Sequence, residues 1–208
     1  DTTDYALWAA ASAALLNYIE STQFTLPDDI KTIKPYHQDA FMILDQNARR
    51  NLELTETLRD RQRKGSLLWA IDRTKTSMGA RLLRYWLEQP LLDINTIVRR
   101  QDAISTLLDN FILRQELIEQ FTGIYDLERL SGRIALGQIN ARDLVSLISV
   151  LEKIKPIKEI LNNFDDPYIN SLNDQLHDLP DLMGLLKSSI VDEPPITIKE
   201  GNLIRTGF

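Results

Sequence analysis

Two histidines and a group of aspartates are the residues whose types could bind a metal ion or act as a general base. The aspartates that flank His177 are Asp174, Asp178 and Asp181. All four side chains share one face if a single helix runs through them, and carboxylates and imidazoles on one face are potential metal ligands. Pro180 interrupts that helix. We therefore interpret the group as a polar face exposed to solvent. His37 lies far from His177 in sequence, and its neighbour Asp39 gives no further signal of a site.

A short basic segment is the second candidate for chemistry. Its members are Arg59, Arg61, Arg63 and Lys64, with Asp60 as the one acidic residue among them. Such a run is typical of an exposed loop tip, and a contact to a phosphate group is the alternative that its charge permits. Ser66 follows shortly afterwards and is a good N-cap, so we expect a helix to begin there.

Catalytic constellations are missing from the sequence. Neither the phosphate-binding G-x-x-x-x-G-K-[ST] motif nor G-x-G-x-x-G occurs. No nucleophile–base pair can be named among the serines and the two histidines. We interpret Glu128 with Arg129, and Arg142 with Asp143, as ion pairs or helix-end charges. We therefore assign no catalytic, cofactor-binding or metal-binding residue, and the sequence identifies no DNA-contacting residue.

The composition limits the class of protein. The chain has 208 residues, 43% of them hydrophobic, and no cysteine. This is enough for one or two cores, and it excludes disulfides, thiolate metal sites and cysteine nucleophiles. No apolar run reaches the roughly 20 residues that span a bilayer, so we expect a soluble, cytoplasmic protein. The formal net charge of -6 argues against an autonomous nucleic-acid-binding domain.

Apolar periodicity and capping residues predict a mainly α fold. An Ala- and Leu-rich stretch without breakers predicts a helix over 5–19, followed by a loop at 26–29. Further helices are predicted to begin near residues 77, 94, 111, 126, 141 and 167, with a last one after Pro180. Pro156 should kink or restart the helix that begins near Ala141. The tryptophans predicted to anchor the core are Trp8, Trp69 and Trp86.

A few short β-strands are predicted in two regions. Near 41–54, the apolar runs 41–44 and 52–54 could be buried strands. Near 196–205, the runs 196–199 and 203–205 flank a turn signal at Gly201, which predicts a hairpin.

The most distinctive segment is 72–91, which reads DRTKTSMGARLLRYWLEQPL. Thr76 or Ser77 can cap its helix, Pro90 ends it, and Arg81 lies off its apolar face. The segment resembles the central core of the MutS family of DNA mismatch-repair proteins, in which a D-R-T-x-T-x-M-G-x-R-L-L-x-x-W-L-x-x-P-L string is characteristic. Other segments resemble the same family in the same order, at 44–54, 100–104, 126–130 and 141–144.

The resemblance implies a helical lever or core domain. Residues 1–26 would form a helix leading from a connector domain into the core, because 13–27 resembles that passage. Residues 27–208 would form the first half of the core and end where a DNA clamp begins. The chain would then be a part of a longer protein.

The resemblance also implies a function. The chain would be the structural and allosteric core of a DNA mismatch-recognition ATPase, coupling movement of the clamp to a distant ATPase domain without performing chemistry itself. The longer protein would bind ATP, Mg and mismatched duplex DNA, work with a MutL-type partner and form a homodimer. The family's Walker motifs and Phe-x-Glu wedge do not occur in these residues. A MutS relative acting in recombination and a generic helical scaffold are the alternatives that the sequence leaves open.

Overall fold

A computed structural model of the protein describes residues 2–23, 41–196 and 198–208, and the chain divides into two compact units, 1–40 and 41–208. The first unit contains α1 (Thr2–Gln23), which confirms the predicted first helix. The hydroxyls of Ser21 and Thr22 donate to the carbonyl of Tyr18 at 2.9 and 2.8 Å and satisfy an acceptor near the helix end. The predicted loop at 26–29 and His37 lie outside the described residues.

The described part of the second unit is mainly helical. Its helices are α2 (Gln46–Asn51), α3 (Leu67–Ile71), α4 (Ser77–Glu88), α5 (Ile94–Asp109), α6 (Phe111–Phe121), α7 (Leu127–Ala135), α8 (Ala141–Leu161), α9 (Pro167–Asp174) and α10 (Pro180–Ser189). The mainly α fold class is therefore confirmed.

Most of these helices begin where the sequence supplies a capping side chain. Thr76, for example, accepts a hydrogen bond from the Gly79 amide at 3.0 Å, which satisfies an otherwise unpaired donor of the first turn. Side chains that accept in this way at the starts of α2 to α5 and α7 to α9 are Asp45, Ser66, Thr76, Asp93, Asp126, Asn140 and Asp166. The predicted helix starts are confirmed by the observed helix bounds, although α6 and α10 begin without a side-chain cap.

Helix α8 is the scaffold of the second unit. It begins at a capping box, in which Asn140 Oδ1 accepts from the Asp143 amide at 2.9 Å and Asp143 Oδ2 accepts from the Asn140 amide at 3.2 Å. Helices α6, α7, α9 and α10 all contact it. The helix runs unbroken through Pro156, so a restart there is not observed. Packing on several sides of α8 holds it together across the missing backbone donor.

The apolar core lies where α5, α9 and the end of α8 meet. Ala103, Phe164 and Ile169 are buried there, and Phe164 is only 2% exposed. Half-buried side chains that pack against them are Leu107, Leu113, Ile160, Leu161 and Tyr168. This core fixes the far end of α8 relative to α5.

The predicted strands are reduced to two isolated antiparallel bridges in the described ranges, Phe41 with Leu91 and Ile190 with Ile204. Residues 52–54 form a turn, and Ile198–Glu200 is a short 3-10 helix. The predicted hairpin between 196–199 and 203–205 is therefore wrong. Residues 203–205 instead pair with the chain at the end of α10, where the Arg205 amide donates to the Ser189 carbonyl at 2.8 Å. An apolar run does not reveal its pairing partner, because pairing depends on tertiary packing.

Candidate functional site

Arg81 on α4 joins two of the segments singled out in the sequence, 72–91 and 126–130. Its two terminal nitrogens donate to the two carboxylate oxygens of Asp126, each at 2.7 Å, and its Nε donates to Glu128 at 2.8 Å. Ser77 Oγ adds a bond to Asp126 at 2.9 Å. We call these four residues the motif junction, because Ser77 and Arg81 belong to segment 72–91 while Asp126 and Glu128 begin α7.

The motif junction holds Asp126 in its ionised form. The hydrogen bonds from Arg81 lower the pKa of Asp126 far below its usual range, and the bond from Ser77 lowers it further. The same contacts with Asp126 and then Glu128 raise the pKa of Arg81. Asp126 also caps α7 through the Arg129 amide at 3.2 Å. Because the Arg81 side chain is 41% exposed, water screens the pair, and its bidentate geometry fixes orientation more than it adds energy.

Helix α7 is held by charge at its other end as well. Arg133, in its last turn, pairs with Asp143 at 2.8 Å, and Asp143 is 8% exposed and belongs to the capping box of α8. Between the two pairs, Leu130 is the buried residue of α7. We call the pairs Arg81–Asp126 and Arg133–Asp143 the ion-pair relay, since they connect α4 to α7 and α7 to α8.

The charged neighbours singled out from the sequence pair with residues other than each other, and Arg129 pairs with Asp126 at 3.5 Å. Glu128 pairs with Arg81 and Asp143 with Arg133, whereas Arg142 donates to the Pro194 carbonyl at 3.0 Å. Glu128 and Asp143 stand in the first turns of α7 and α8. The interpretation as helix-end charges is therefore confirmed for both carboxylates. Glu128 does not pair with Arg129, and Arg142 does not pair with Asp143.

A hollow lined by arginines lies between α2, the loop 55–63 and α4. Its two adjoining parts have volumes of about 370 and 260 Å³ and share four lining residues, Thr55, Glu56, Arg61 and Arg84. The arginines that line it are Arg49, Arg50, Arg61, Arg63, Arg81 and Arg84. We call it the arginine hollow. Arg59 and Lys64 of the predicted basic run are not among its lining residues.

Half of these arginines are neutralised by carboxylates outside the hollow. Their pairs are Arg63 with Asp72, Arg81 with Asp126 and Glu128, and Arg84 with Glu88. Arg49 donates its Nε to the Leu44 carbonyl at 2.9 Å. Within the described residues, Arg50 and Arg61 form no ion pair. Glu56 is the single carboxylate of the lining, so the hollow keeps a positive excess.

Sequence reasoning found only Arg61 and Arg63 of the arginine hollow. The other four come from α2 and α4, which the fold brings to the same place. Arg81 and Arg84, one helical turn apart off the apolar face of α4, were the available signal.

The histidine–aspartate group does not assemble. Helix α9 ends at Asp174, Leu179 adopts a left-handed conformation with φ 43°, and α10 begins at Pro180. His177 and its three neighbouring aspartates are all exposed, as predicted. In the part of the chain that is described, no three His, Cys, Asp or Glu residues come together as a metal site. Across the described ranges, no helix combines the length and apolarity needed to cross a bilayer.

The tryptophans differ in their surroundings. Trp69 is 48% exposed, so its predicted role as a core anchor is wrong, because it lies on the outer face of the short helix α3. Trp86 is half-buried, and the guanidinium of Arg100 lies 3.9 Å from its ring centroid, a cation–π contact. Trp8 is half-buried on α1.

Comparison with known proteins matches most of the second unit to one family. The family model described as MutS domain III matches residues 47–206. A protein named DNA mismatch repair protein MutS from Ruminiclostridium cellulolyticum is 47% identical over 205 residues, which cover 99% of this chain and 24% of that protein. Proteins of the same name from Lachnoclostridium phytofermentans and Geobacillus sp. are 45% and 44% identical and are covered over 22% and 23% of their lengths.

The described geometry agrees with that match, since the motif junction and the ion-pair relay both lie within residues 47–206. The chain spans about a quarter of the length of these relatives. It belongs to the MutS family, as a MutS domain III.

Proposed function

We propose that this chain is the structural and allosteric core of a DNA mismatch-recognition ATPase. In this proposal it couples movement of a DNA clamp to a distant ATPase domain and performs no chemistry itself. Residues 1–26 lead from a connector domain into the core, and 27–208 form its first half. The observation that carries the proposal is the motif junction, in which Ser77 and Arg81 of α4 donate hydrogen bonds to Asp126 and Glu128 at the start of α7.

Coupling between distant sites needs an element with two arrangements that both sites can bias. Helix α7 has the properties of such an element. Charges hold each of its ends, and because the arginine of each pair is 41% or 45% exposed, water screens both pairs. The helix buries one leucine, Leu130. A shift of α7 would therefore exchange ion pairs without opening the apolar core around Phe164.

ATP and Mg belong to the whole protein in this proposal. The sequence has no phosphate-binding G-x-x-x-x-G-K-[ST] motif. Among the described residues, no three His, Cys, Asp or Glu side chains come together as a metal site. Mismatched duplex DNA, a MutL-type partner, a homodimeric state and a cytoplasmic location are likewise proposals for the whole protein.

The relatives favour mismatch repair over a role in recombination, because the similar proteins from three organisms all carry the mismatch-repair name. The helical-scaffold alternative has no comparable support.

A chimera tests the proposal. The matching quarter of the Ruminiclostridium cellulolyticum protein is exchanged for this chain, and the mutation rate is measured in a strain that lacks its own MutS. We expect the chimera to lower the mutation rate and Arg81→Gln to raise it again. Lys155→Gln is the matched control, since Lys155 is exposed and lies on α8 outside the ion-pair relay. A folded chimera that leaves the mutation rate high would contradict the proposal.

A further inference from the structure

We propose that the arginine hollow is a phosphate-binding site that takes backbone phosphates of duplex DNA. The choice of DNA as the source of the phosphates rests on the proposed function. The phosphate chemistry itself rests on the hollow.

The charge of the hollow calls for an anion. Six guanidinium groups line it against one carboxylate, Glu56, in a chain whose formal net charge is -6. Guanidinium groups that line one hollow repel each other unless negative charge lies between them. Three of the arginines have carboxylate partners outside the hollow, but Arg49, Arg50 and Arg61 have none within the described residues. A bound oxyanion would supply the missing charge.

The side chains match a phosphate better than a simple anion. A guanidinium presents its N–H donors as a planar fork that suits two phosphate oxygens at once. Thr55 and Thr57 add hydroxyls to the lining. Thr57 Oγ1 already accepts from the Gln62 amide at 3.2 Å, so its proton is available to donate to a ligand.

The loop that carries Arg61 is fixed by its own hydrogen bonds. The Thr57 amide donates to the Gln62 carbonyl at 2.9 Å, and the Arg61 amide donates to the Thr57 carbonyl at 3.1 Å. Arg61 itself adopts φ 49°, a conformation that non-glycine residues rarely take. These bonds direct Arg61 into the hollow while Arg59 and Lys64 stay outside its lining. A preformed site loses less entropy when it binds a ligand.

The hollow is also connected to the motif junction. Arg81 lines the hollow and at the same time donates to Asp126 and Glu128. A phosphate at this end would compete with those two carboxylates for the same guanidinium. Phosphate binding would thereby loosen the hold of α4 on α7.

Direct binding tests the site on the 208-residue chain. Fluorescence anisotropy with a labelled 20-base-pair duplex, repeated over a series of salt concentrations, compares two charge-matched variants. Arg50→Gln/Arg61→Gln removes two lining charges, and Arg59→Gln/Lys64→Gln removes two charges of the same region outside the lining. We expect the first variant to bind at least about tenfold more weakly and its salt slope to fall by about 1.8, which is about 0.9 for each lost phosphate contact. The second should stay within about twofold of the original chain.

Further measurements distinguish DNA from ATP as the ligand. They also distinguish failure of the phosphate site from failure of the proposed function. Thermal unfolding followed by circular dichroism verifies that both variants are folded. No duplex binding by the original chain at low salt, or equal losses in both variants, overturns the proposal. ATP binding in the hollow without duplex binding overturns DNA as the source. If the chimera fails to repair mismatches while Arg50 and Arg61 still govern duplex binding, the phosphate site stands and the proposed function fails.

Discussion

A carboxylate that accepts two hydrogen bonds from one guanidinium keeps its charge to a lower pH than a free carboxylate does, and Asp126 is such a group. Its pKa is lowered in the folded state. Its contribution to stability is therefore fully present above the unfolded-state pKa of about 4, and it is lost as the pH falls from there through the folded-state pKa.

Asp126→Asn measures that contribution, because asparagine can still cap α7 but carries no charge. We expect the variant to be less stable than the original chain at pH 7, and the difference in free energy of unfolding to shrink as the pH falls below about 4. Urea unfolding at pH 7, 4 and 3 gives the comparison. A difference that grows toward acid would contradict the contacts of the motif junction.

Trp86 and Trp69 form a matched pair of substitutions. Trp86→Ala removes a half-buried ring and its contact with Arg100, so we expect a loss of about 2 kcal/mol, less than the value for a fully buried tryptophan. Trp69→Ala removes a ring that is 48% exposed, so we expect a loss of less than about 1 kcal/mol. Chemical unfolding measures the loss in free energy of unfolding for both variants. Equal losses would contradict the difference in burial.

Single residues could be predicted from the sequence where their partners are near in the chain. Thr76, for example, could be predicted as a cap because a cap binds an amide two or three residues away. Arg81 was placed off the apolar face, but its partner Asp126 is 45 residues away. Which carboxylate meets it depends on how α4 and α7 pack, and no local rule contains that information.

Among the elements, α8 contains a proline that its helix tolerates. Pro156 removes the hydrogen bond that its amide would donate to the Glu152 carbonyl and crowds that carbonyl. We expect Pro156→Ala to raise the free energy of unfolding by about 1 to 2 kcal/mol, after allowance for the greater entropy of the unfolded chain. Urea unfolding measures the change. A loss of stability would show that the proline ring makes packing contacts worth more than the restored bond.

The helices were predictable as elements, whereas the extended segments were not. Apolar spacing and caps set helix limits within the chain itself, as at α5, which begins after Asp93. The bridge between Ile190 and Ile204 joins residues that are far apart in sequence, so no local pattern indicates that they pair. The arginine hollow likewise needs α2, a loop and α4 at once, so only its loop residues gave a signal in sequence.

At the scale of the whole molecule, the chain should neither hydrolyse ATP nor distinguish mismatched from matched duplexes. It lacks the phosphate-binding motif, and the arginine hollow contacts backbone phosphates, which carry no base identity. A phosphate-release assay and anisotropy with paired duplexes measure both properties. ATP hydrolysis by the pure chain would show a catalytic site that the proposed function does not contain.

The proposed function requires the core to couple two distant sites through Arg81. The most direct measurement is the affinity of the chimera for ATP with and without mismatched duplex, since the ratio of the two is the coupling factor. We predict that Arg81→Gln brings this ratio close to one while ATP binding without DNA stays within about twofold, and that Lys155→Gln leaves the ratio unchanged. An unchanged ratio in a folded Arg81→Gln chimera would contradict the claim.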